Sequence, residues 1–163
     1  MVLLNPTDAT GQDAAPVAEE VWGSLGVKVL SKDWYERGTT EFQPIAAKIA
    51  AMKPDAVDFG TTVPGDAGAI FREVKVLGWK GVQVLAVGTG TDGIVTTGGE
   101  AANGTYLGAA IPLDGKLATD KQRALNTAAR AVSGEDLNGI TLGGYDAVYA
   151  LKAAIEKAQS TDP

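Results

Sequence analysis

Short apolar runs rich in β-branched residues alternate with stretches of helical periodicity over residues 1–112 of this chain. The runs predict five strands, at Val2–Leu4, Val27–Ser31, Ala56–Gly60, Val82–Val87 and Thr105–Ala110. Between them, apolar residues recur three and four positions apart, which is the spacing of a helix that packs one face on a sheet. Since a strand, a helix and a parallel strand nearly always form a right-handed crossover, the pattern predicts an α/β fold with a mainly parallel five-stranded sheet.

The helices between the strands complete a doubly wound, three-layer sandwich of the flavodoxin-like or Rossmann-like class. The first predicted helix ends at Gly26, and its apolar face contains Ala14, Val17, Ala18, Val21, Trp22 and Leu25. The second begins near Thr40, because Thr40 and Gln43 have the spacing of a capping box, and Pro54 ends it. The third ends at Gly78, and its apolar face contains Ala67, Ile70, Val74 and Leu77.

Two further helical patterns follow the predicted sheet, at Leu117–Val132 and Tyr145–Ala158, and the polar segment SGEDLNG separates them. Left without a partner, their Leu, Val and Ile side chains would form a larger apolar surface than monomers usually expose. We therefore expect these helices to fold back on their own sheet or to pair with a second copy, and we predict a homodimer.

Composition excludes several classes of function. The chain has 163 residues, a net charge of −6 and no cluster of Lys and Arg, which argues against a nucleic-acid partner. It has neither an apolar run long enough to insert in a membrane nor a signal peptide, so as written it would stay where it is made. Because it contains no Cys and no His, thiolate nucleophiles, Ser-His-Asp triads and Cys/His zinc sites are absent. We expect no enzyme, no metal and no cofactor.

The segment AVGTGTDG contains the spacing G-x-G-x-x-G at Gly88, Gly90 and Gly93, directly after the fourth predicted strand. In a dinucleotide site, these glycines belong to the first βα unit and lead into a full helix whose amides bind the phosphates. Here the following residues, IVTTGGEAANG, leave room for about two helical turns. The segment is better interpreted as a small-residue loop.

Three loops should meet at the carboxyl edge of the predicted sheet, where ligands of this fold class bind. They span residues 6–11, 61–66 and 88–92, and they are rich in Thr, Gly and Asp. Such residues suit the reversible binding of a small polar molecule, but they are also the ordinary residues of turns and helix caps. For Asp8 and Asp66, which precede helical patterns, capping and ligand contact remain equally open.

Several segments together carry a family resemblance: DATGQ, GTTEF, KPDAV, PGDAGAIFREVKVLGWKG, GGEAANGTY, GYDAVYAL and AIEKAQSTDP. In this order they resemble the second, C-terminal lobe of type I periplasmic solute-binding proteins. The resemblance is to the branched-chain amino acid (Leu/Ile/Val) type, which serves ABC transporters. It covers nearly the whole chain. It implies a periplasmic solute-binding protein whose partners are a small-molecule solute and an ABC permease.

The resemblance also implies a domain organisation. Residues 1–112 correspond to the α/β domain of the second lobe, and residues 113–163 to two C-terminal helices that in the family pack on the first lobe. Because family members are about twice as long, the chain resembles a fragment, natural or engineered.

Carried over loop by loop, the family's ligand contacts fall on Thr10, Gly11, Thr62, Val63, Asp66, Thr89, Gly90 and Asp92. This chain departs from the family at several of them. Thr10 replaces a usual aromatic residue, and Gly90 lies near the place of a carboxylate that binds an amino-acid ammonium group, with Asp92 two residues further on. An amino acid and another small organic acid are both compatible ligands. The alternatives are a self-associating structural fragment that binds no ligand and a flavodoxin-like nucleotide binder.

Overall fold

Five strands form a sheet within the first part of the chain: β1 (Val2–Pro6), β2 (Ser31–Tyr35), β3 (Ala56–Asp58), β4 (Val82–Leu85) and β5 (Tyr106–Leu107). A computed structural model of the protein describes residues 1–85, 90–108 and 115–162. The strand order is β2-β1-β3-β4-β5, and each of the four pairings is parallel. The predicted α/β class with a parallel five-stranded sheet is confirmed.

Four helices connect these strands: α1 (Ala9–Ser24), α2 (Gln43–Met52), α3 (Pro64–Val76) and α4 (Thr91–Gly98), the last continued by a 3-10 turn at Gly99–Ala102. The main core lies on one face of the sheet. It contains Val2, Leu4, Val57 and Leu85 from β1, β3 and β4, Phe59 directly after β3, and Ala46, Ile49, Ile70, Phe71, Val74 and Ile94 from the helices. These helical residues belong to α2, α3 and α4. Three helices therefore cover this face.

Helix α1 lies on the opposite face of the sheet. Asp58 follows the core residue Val57 in β3, so its side chain points away from the main core. There its Oδ2 accepts a 2.7 Å hydrogen bond from Nε1 of Trp22 on α1. Since Asp58 is 1% exposed, this bond ties α1 to the sheet at a buried position and completes the three layers.

Strand β2 begins where the sequence predicted that it would end. Residues 27–30 belong to no strand, and Leu30 is 47% exposed. The buried positions of β2 are Asp33 and Tyr35, which alternate with more exposed residues. Asp33 is hidden in spite of its charge because it pairs with Lys48 of α2 at 2.6 Å. A buried carboxylate thus disguised the period-two pattern, and the prediction of Val27–Ser31 was wrong.

Two helices differ from those predicted, α2 in its start and α1 in its buried face. Helix α2 begins at Gln43 without a side-chain cap, so the predicted capping box of Thr40 and Gln43 is not formed. Instead, Oγ1 of Thr39 accepts from the amide of Glu41 at 3.3 Å. In α1 the buried residues are Gly11 and Ala15, whereas Val17, Val21 and Leu25 of the predicted apolar face are at least half exposed, at 60%, 50% and 66%. Small residues let α1 approach the sheet closely, which turns the larger ones outward.

The chain divides into two units, Met1–Gly108 and Ala109–Pro163. The second unit contains a 3-10 turn at Gly115–Leu117 and two helices, α5 (Asp120–Ser133) and α6 (Gly139–Ala158). The predicted domain boundary between residues 112 and 113 lies outside the described residues and stays a prediction.

Both helices of the second unit begin at a capping box. Thr119 and Gln122 form it at α5, and Asn138 and Thr141 form it at α6. The cap at Asn138 explains why α6 starts before the predicted Tyr145: a good N-terminus outweighs the low helix propensity of Gly143 and Gly144 inside the helix. Neither α5 nor α6 contains a buried residue. Within the described residues, no helix combines the length and the apolar character that crossing a bilayer requires.

Candidate ligand-binding site

Three helices begin at the carboxyl edge of the sheet. The N-caps are Asp8 for α1, Val63 for α3 and Gly90 for α4, and α3 and α4 show no side-chain capping bond. The starts of α3 and α4 are close together, because a Cβ added at Gly93 would lie 3.1 Å from the Cβ of Pro64. Because no side chain caps either helix, the two adjacent helix N-termini give this edge a positive partial charge, partly offset by Asp66 and Asp92 in the first turns.

An ion pair links the first loop to the residues that follow β2. Nε of Arg37 donates to Oδ2 of Asp8 at 2.5 Å, and both side chains remain partly exposed, at 37% and 39%. The other carboxylate oxygen of Asp8 accepts from the amide of Gly11 at 3.1 Å. The hydrogen bond from Arg37 is the main reason that the pKa of Asp8 is lowered, and the same bond raises the pKa of Arg37. Asp8 is therefore a helix cap and an ion-pair partner together.

Tyr35 joins the end of β2 to the loop at residues 61–66. Its hydroxyl donates to Oδ2 of Asp66 at 3.0 Å and accepts from the amide of Val63 at 3.4 Å. The ring is 3% exposed and packs edge to face on Phe42, with the ring centroids 6.1 Å apart. Burial, and then the negative charge of Asp66, raise the pKa of Tyr35 to about 12. The phenol therefore stays protonated at neutral pH and holds Asp66 in place.

The loop after β3 is bonded to the end of β1. Oδ1 of Asn5 accepts from the amide and the hydroxyl of Thr61, at 3.3 and 3.4 Å. Gly60 has a φ of 47°, and a Cβ there would overlap the Asn5 amide group. The hydroxyl of Thr62 donates to the carbonyl of Leu4 at 3.4 Å, and Thr62 is 2% exposed. These bonds favour a structural role for Thr62.

The remaining positions carried over from the family have varied surroundings. Thr10 is exposed in the first turn of α1. Gly11 is buried, and it packs so closely on Pro6 that a Cβ would overlap the carbonyl oxygen of Pro6. Val63 is 36% exposed. Gly90 caps α4, and Asp92 is half-buried in its first turn. Thr89 lies outside the described residues. Asp66, Val63, Gly90 and Asp92 thus lie at the starts of α3 and α4.

Helix α4 begins after Gly90 and spans 8 residues. Its length agrees with the two turns expected after AVGTGTDG. Gly88, the first glycine of that spacing, lies outside the described residues. Gly93 sits against Pro64, as a packing residue between two helices. This role favours the interpretation as a small-residue loop over a phosphate-binding one.

Sequence reasoning missed Tyr35 and Arg37. Both follow from the true position of β2, since residues that end a strand next to β1 must reach the carboxyl edge of the sheet. A strand placed at Val27–Ser31 left them in a loop without an assigned position. Of the two inward positions of β2, only Tyr35 carried an apolar signal in the sequence, because the other is Asp33. Among the described residues, no group of three Asp, Glu, His or Cys side chains is arranged to hold a metal ion.

Curated proteins of known sequence show similarity over the full chain. A Pseudomonas aeruginosa protein described as an amino acid binding protein is 29% identical, over 100% of this chain and 43% of its own length. The Leu/Ile/Val-binding protein BraC3 of Rhizobium johnstonii is 28% identical, over 99% of this chain and 43% of its own. The chain thus spans less than half the length of these relatives.

Solved structures share the fold. A Rhodopseudomonas palustris protein superposes with a TM-score of 0.85 at 18% identity, over 99% of this chain and 47% of that one. LivJ of Streptococcus pneumoniae, solved with isoleucine, gives a TM-score of 0.76 at 20% identity, over 94% of this chain and 44% of LivJ. Another Rhodopseudomonas palustris protein, described as a solute-binding protein and solved with benzoate, gives a TM-score of 0.73 at 19% identity, over 94% of this chain and 42% of that one.

The family described as periplasmic binding protein matches this chain over residues 1–163. The match agrees with the all-parallel sheet, with the helix starts at its carboxyl edge and with the segments that resemble the second lobe of solute-binding proteins. The chain belongs to the periplasmic binding protein family.

Proposed function

We propose that this chain is the solute-binding second lobe of a periplasmic protein that delivers an amino acid or a small organic acid to an ABC permease. The observation that carries the proposal is the polar cluster at the carboxyl edge, where Asp8, Tyr35, Arg37 and Asp66 join loops from three strands. The cluster offers donors, acceptors and charges of both signs, but no nucleophile paired with a base. This chemistry supports binding without catalysis.

Two relatives support the class of solute. LivJ is described in complex with isoleucine, and a Rhodopseudomonas palustris solute-binding protein in complex with benzoate. Both molecules carry a carboxylate next to an apolar group. The edge of the sheet offers comparable surroundings, because Val63 is 36% exposed and its amide donates to the hydroxyl of Tyr35 in the charged cluster. The periplasm as its compartment and the permease as its partner extend from the family to this chain as parts of the same proposal.

The test is a titration of the isotopically labelled chain with isoleucine and with benzoate, followed by amide chemical shifts. Ligand pockets bury most of a ligand's surface. One lobe covers only one side, so we expect a dissociation constant on the order of 1 mM. The shifts should be confined to residues 7–11, 35–37, 61–66 and 90–92.

A matched pair of variants makes this test specific. Asp66→Asn removes a negative charge from the cluster and should weaken the binding of isoleucine, which carries an ammonium group, whereas Asp13→Asn makes the same charge change on the exposed surface of α1 and should not. Shifts elsewhere, or no shifts at saturating concentrations of both solutes, would contradict the proposal. AMP and FMN serve as comparison ligands, since tighter binding of either would favour the nucleotide-binding alternative.

We infer in addition that the chain on its own forms a homodimer through α5 and α6. Large apolar side chains of these helices are exposed, among them Val132 at 92%, Ile140 at 71%, Val148 at 65% and Leu151 at 62%. Exposed apolar side chains on one helix pair favour association, because burial removes their surface from water. A second copy offers the same surface, as the isologous interface of a two-fold dimer requires.

Light scattering and native mass spectrometry test the dimer. The wild-type chain should have twice the mass of one copy, and Leu151→Lys should shift it to a monomer, whereas Val76→Lys, at an 82% exposed position of α3, should not. A wild-type monomer would overturn the homodimer. Covering of the same helices by the remainder of a longer protein would then be the better explanation, because the relatives are more than twice as long as the part matched here.

A further inference from the structure

Arg37 carries unused hydrogen-bond donors at the carboxyl edge. Its Nε donates to Asp8 at 2.5 Å, and its terminal amino groups Nη1 and Nη2 form no hydrogen bond with any residue in the described ranges. The side chain is 37% exposed, so Arg37 is accessible to a solute. A guanidinium presents parallel donors that match the two oxygens of a carboxylate.

The guanidinium is also held in place. Asp8 accepts from Arg37 through Oδ2 and from the amide of Gly11 through Oδ1, so the ion pair is attached to the first turn of α1. An arginine fixed by one bond loses less side-chain freedom when it binds a second group. Asp8 thus orients Arg37 and caps a helix at once.

Arg37 belongs to the same cluster as Tyr35 and Asp66. Tyr35 lies two residues before it at the end of β2 and donates to Asp66, and the charge of Arg37 interacts with both of these groups. Apart from its bond to Tyr35, the carboxylate of Asp66 accepts no hydrogen bond within the described part of the chain. The cluster therefore presents separate partners for a carboxylate and for a positively charged or hydrogen-donating group.

We propose that Arg37 is a specificity-determining residue that binds the carboxylate group of the solute through Nη1 and Nη2 while Asp8 holds its Nε. This inference rests on the proposed solute-binding function and adds a residue from the segment after β2. The solute it selects carries at least one carboxylate, and an uncharged amide of the same shape is a poor substitute.

The test compares benzoate, isoleucine and benzamide, titrated into the wild-type chain and into Arg37→Met, with affinities from amide chemical shifts. Hydrogen bonds to charged groups contribute about 1.5–3 kcal/mol. We therefore expect Arg37→Met to weaken benzoate and isoleucine binding by roughly ten- to a hundredfold. Benzamide binding should stay within about twofold, because benzamide offers no carboxylate to lose.

Arg72→Met is the matched control, since Arg72 is an exposed arginine on α3 and its substitution makes the same charge change. Arg37→Lys keeps the charge but not the paired donors, so its affinities should be intermediate. Equal loss of benzoate and benzamide in Arg37→Met would overturn the inference, because it would show a structural role for Arg37. Carboxylate affinities equal to those of Arg72→Met would also overturn it and would leave the proposed function standing. A wild-type chain that binds none of the three solutes would overturn both.

Discussion

Helices α3 and α6 are both rich in apolar residues, but only α3 buries them. Ala67, Ile70, Phe71 and Val74 of α3 have no exposed surface, and α3 has no side-chain cap. Helix α6 contains no buried residue, and it begins at a capping box. Helix α3 is thus stabilised by packing, which tolerates a poor helix end, whereas α6 relies on local signals. A helix can be well specified by its sequence without being stabilised by a core.

The largest expected difference between the two units comes from removing apolar side chains. Phe71→Ala should lower the free energy of unfolding by about 3–5 kcal/mol, because the ring is fully buried against Phe59 with the centroids 4.6 Å apart. Leu151→Ala in α6 should change it by less than about 0.5 kcal/mol, since Leu151 is 62% exposed. Urea unfolding at a concentration where the chain is monomeric measures both.

Tryptophan fluorescence reports on the first unit in this experiment, since Trp22, Trp34 and Trp79 all precede Gly108, and circular dichroism reports on both units. A large effect of Leu151→Ala in dilute solution would show that α6 is covered within the same molecule. An effect that grows with protein concentration would instead support the homodimer.

The two units should differ less when a hydrogen bond or an ion pair is removed than when an apolar side chain is removed. Trp22→Phe leaves Oδ2 of the buried Asp58 without its partner, which should cost about 1–3 kcal/mol of unfolding free energy. In the second unit, Lys152→Met removes the ion pair with Glu156, in which both side chains are 63% exposed, and should cost at most about 0.5 kcal/mol.

Trp34→Phe is the control for lost ring volume, because Trp34 is 40% exposed and its ring nitrogen makes no hydrogen bond within the described ranges. Chemical unfolding followed by far-ultraviolet circular dichroism compares the variants. The contrast between the units fails if Trp22→Phe and Lys152→Met have equal effects.

For helix caps, we expect the larger effect in the second unit. Asn138→Ala removes the side chain that accepts from the amides of Ile140 and Thr141 at 3.0 and 3.1 Å, and should destabilise α6 by about 0.5–2 kcal/mol. Thr40→Ala should leave α2 unchanged, because α2 begins at Gln43 without a side-chain cap. Amide hydrogen exchange measures each helix separately. Faster exchange in α2 of the Thr40 variant would show that Thr40 caps α2, as the sequence predicted.

The sequence predicted the fold where burial and hydrophobicity coincide. The spacing of Ala67, Ile70 and Val74 identified α3 because these residues are the ones buried. The same reasoning misplaced β2, whose inward positions are an ion-paired aspartate and a hydrogen-bonded tyrosine. It also assigned Val17 and Val21 to a packed face, although small residues form the contact of α1 with the sheet. Local hydrophobicity cannot show which charges find a partner on another element.

The candidate site was also predicted only in part. Convergence of the loops at the carboxyl edge follows from parallel strands, and the structure brings the starts of α1, α3 and α4 to that edge. The contribution of Tyr35 and Arg37 depends on the register of β2 with β1, in which Tyr35 lies opposite Pro6. Register is a property of the assembled sheet, so an error in one strand removed two residues from the predicted site.

The smallest expected effects come from two exposed carboxylates, one in each unit. Hydrogen bonds from Arg37 to Asp8 and from Arg130 to Asp136 are the main reasons that both pKa values lie below 3.8. For a carboxylate whose pKa is lowered by folding, the stabilisation is complete above the unfolded pKa and is lost as the pH falls through the folded value. Both contributions should therefore begin to decline below about pH 4 and be lost as the pH falls further, through the lowered pKa values. Carbon-detected titration of the two carboxyl groups should give midpoints below 3.8. Arg37→Met should raise only the midpoint of Asp8, and Arg130→Met should raise only that of Asp136.

A midpoint for Asp8 that does not respond to Arg37→Met would show that the cap bond to Gly11, rather than the ion pair, fixes its charge. It would also remove the support for an arginine held in place at the carboxyl edge.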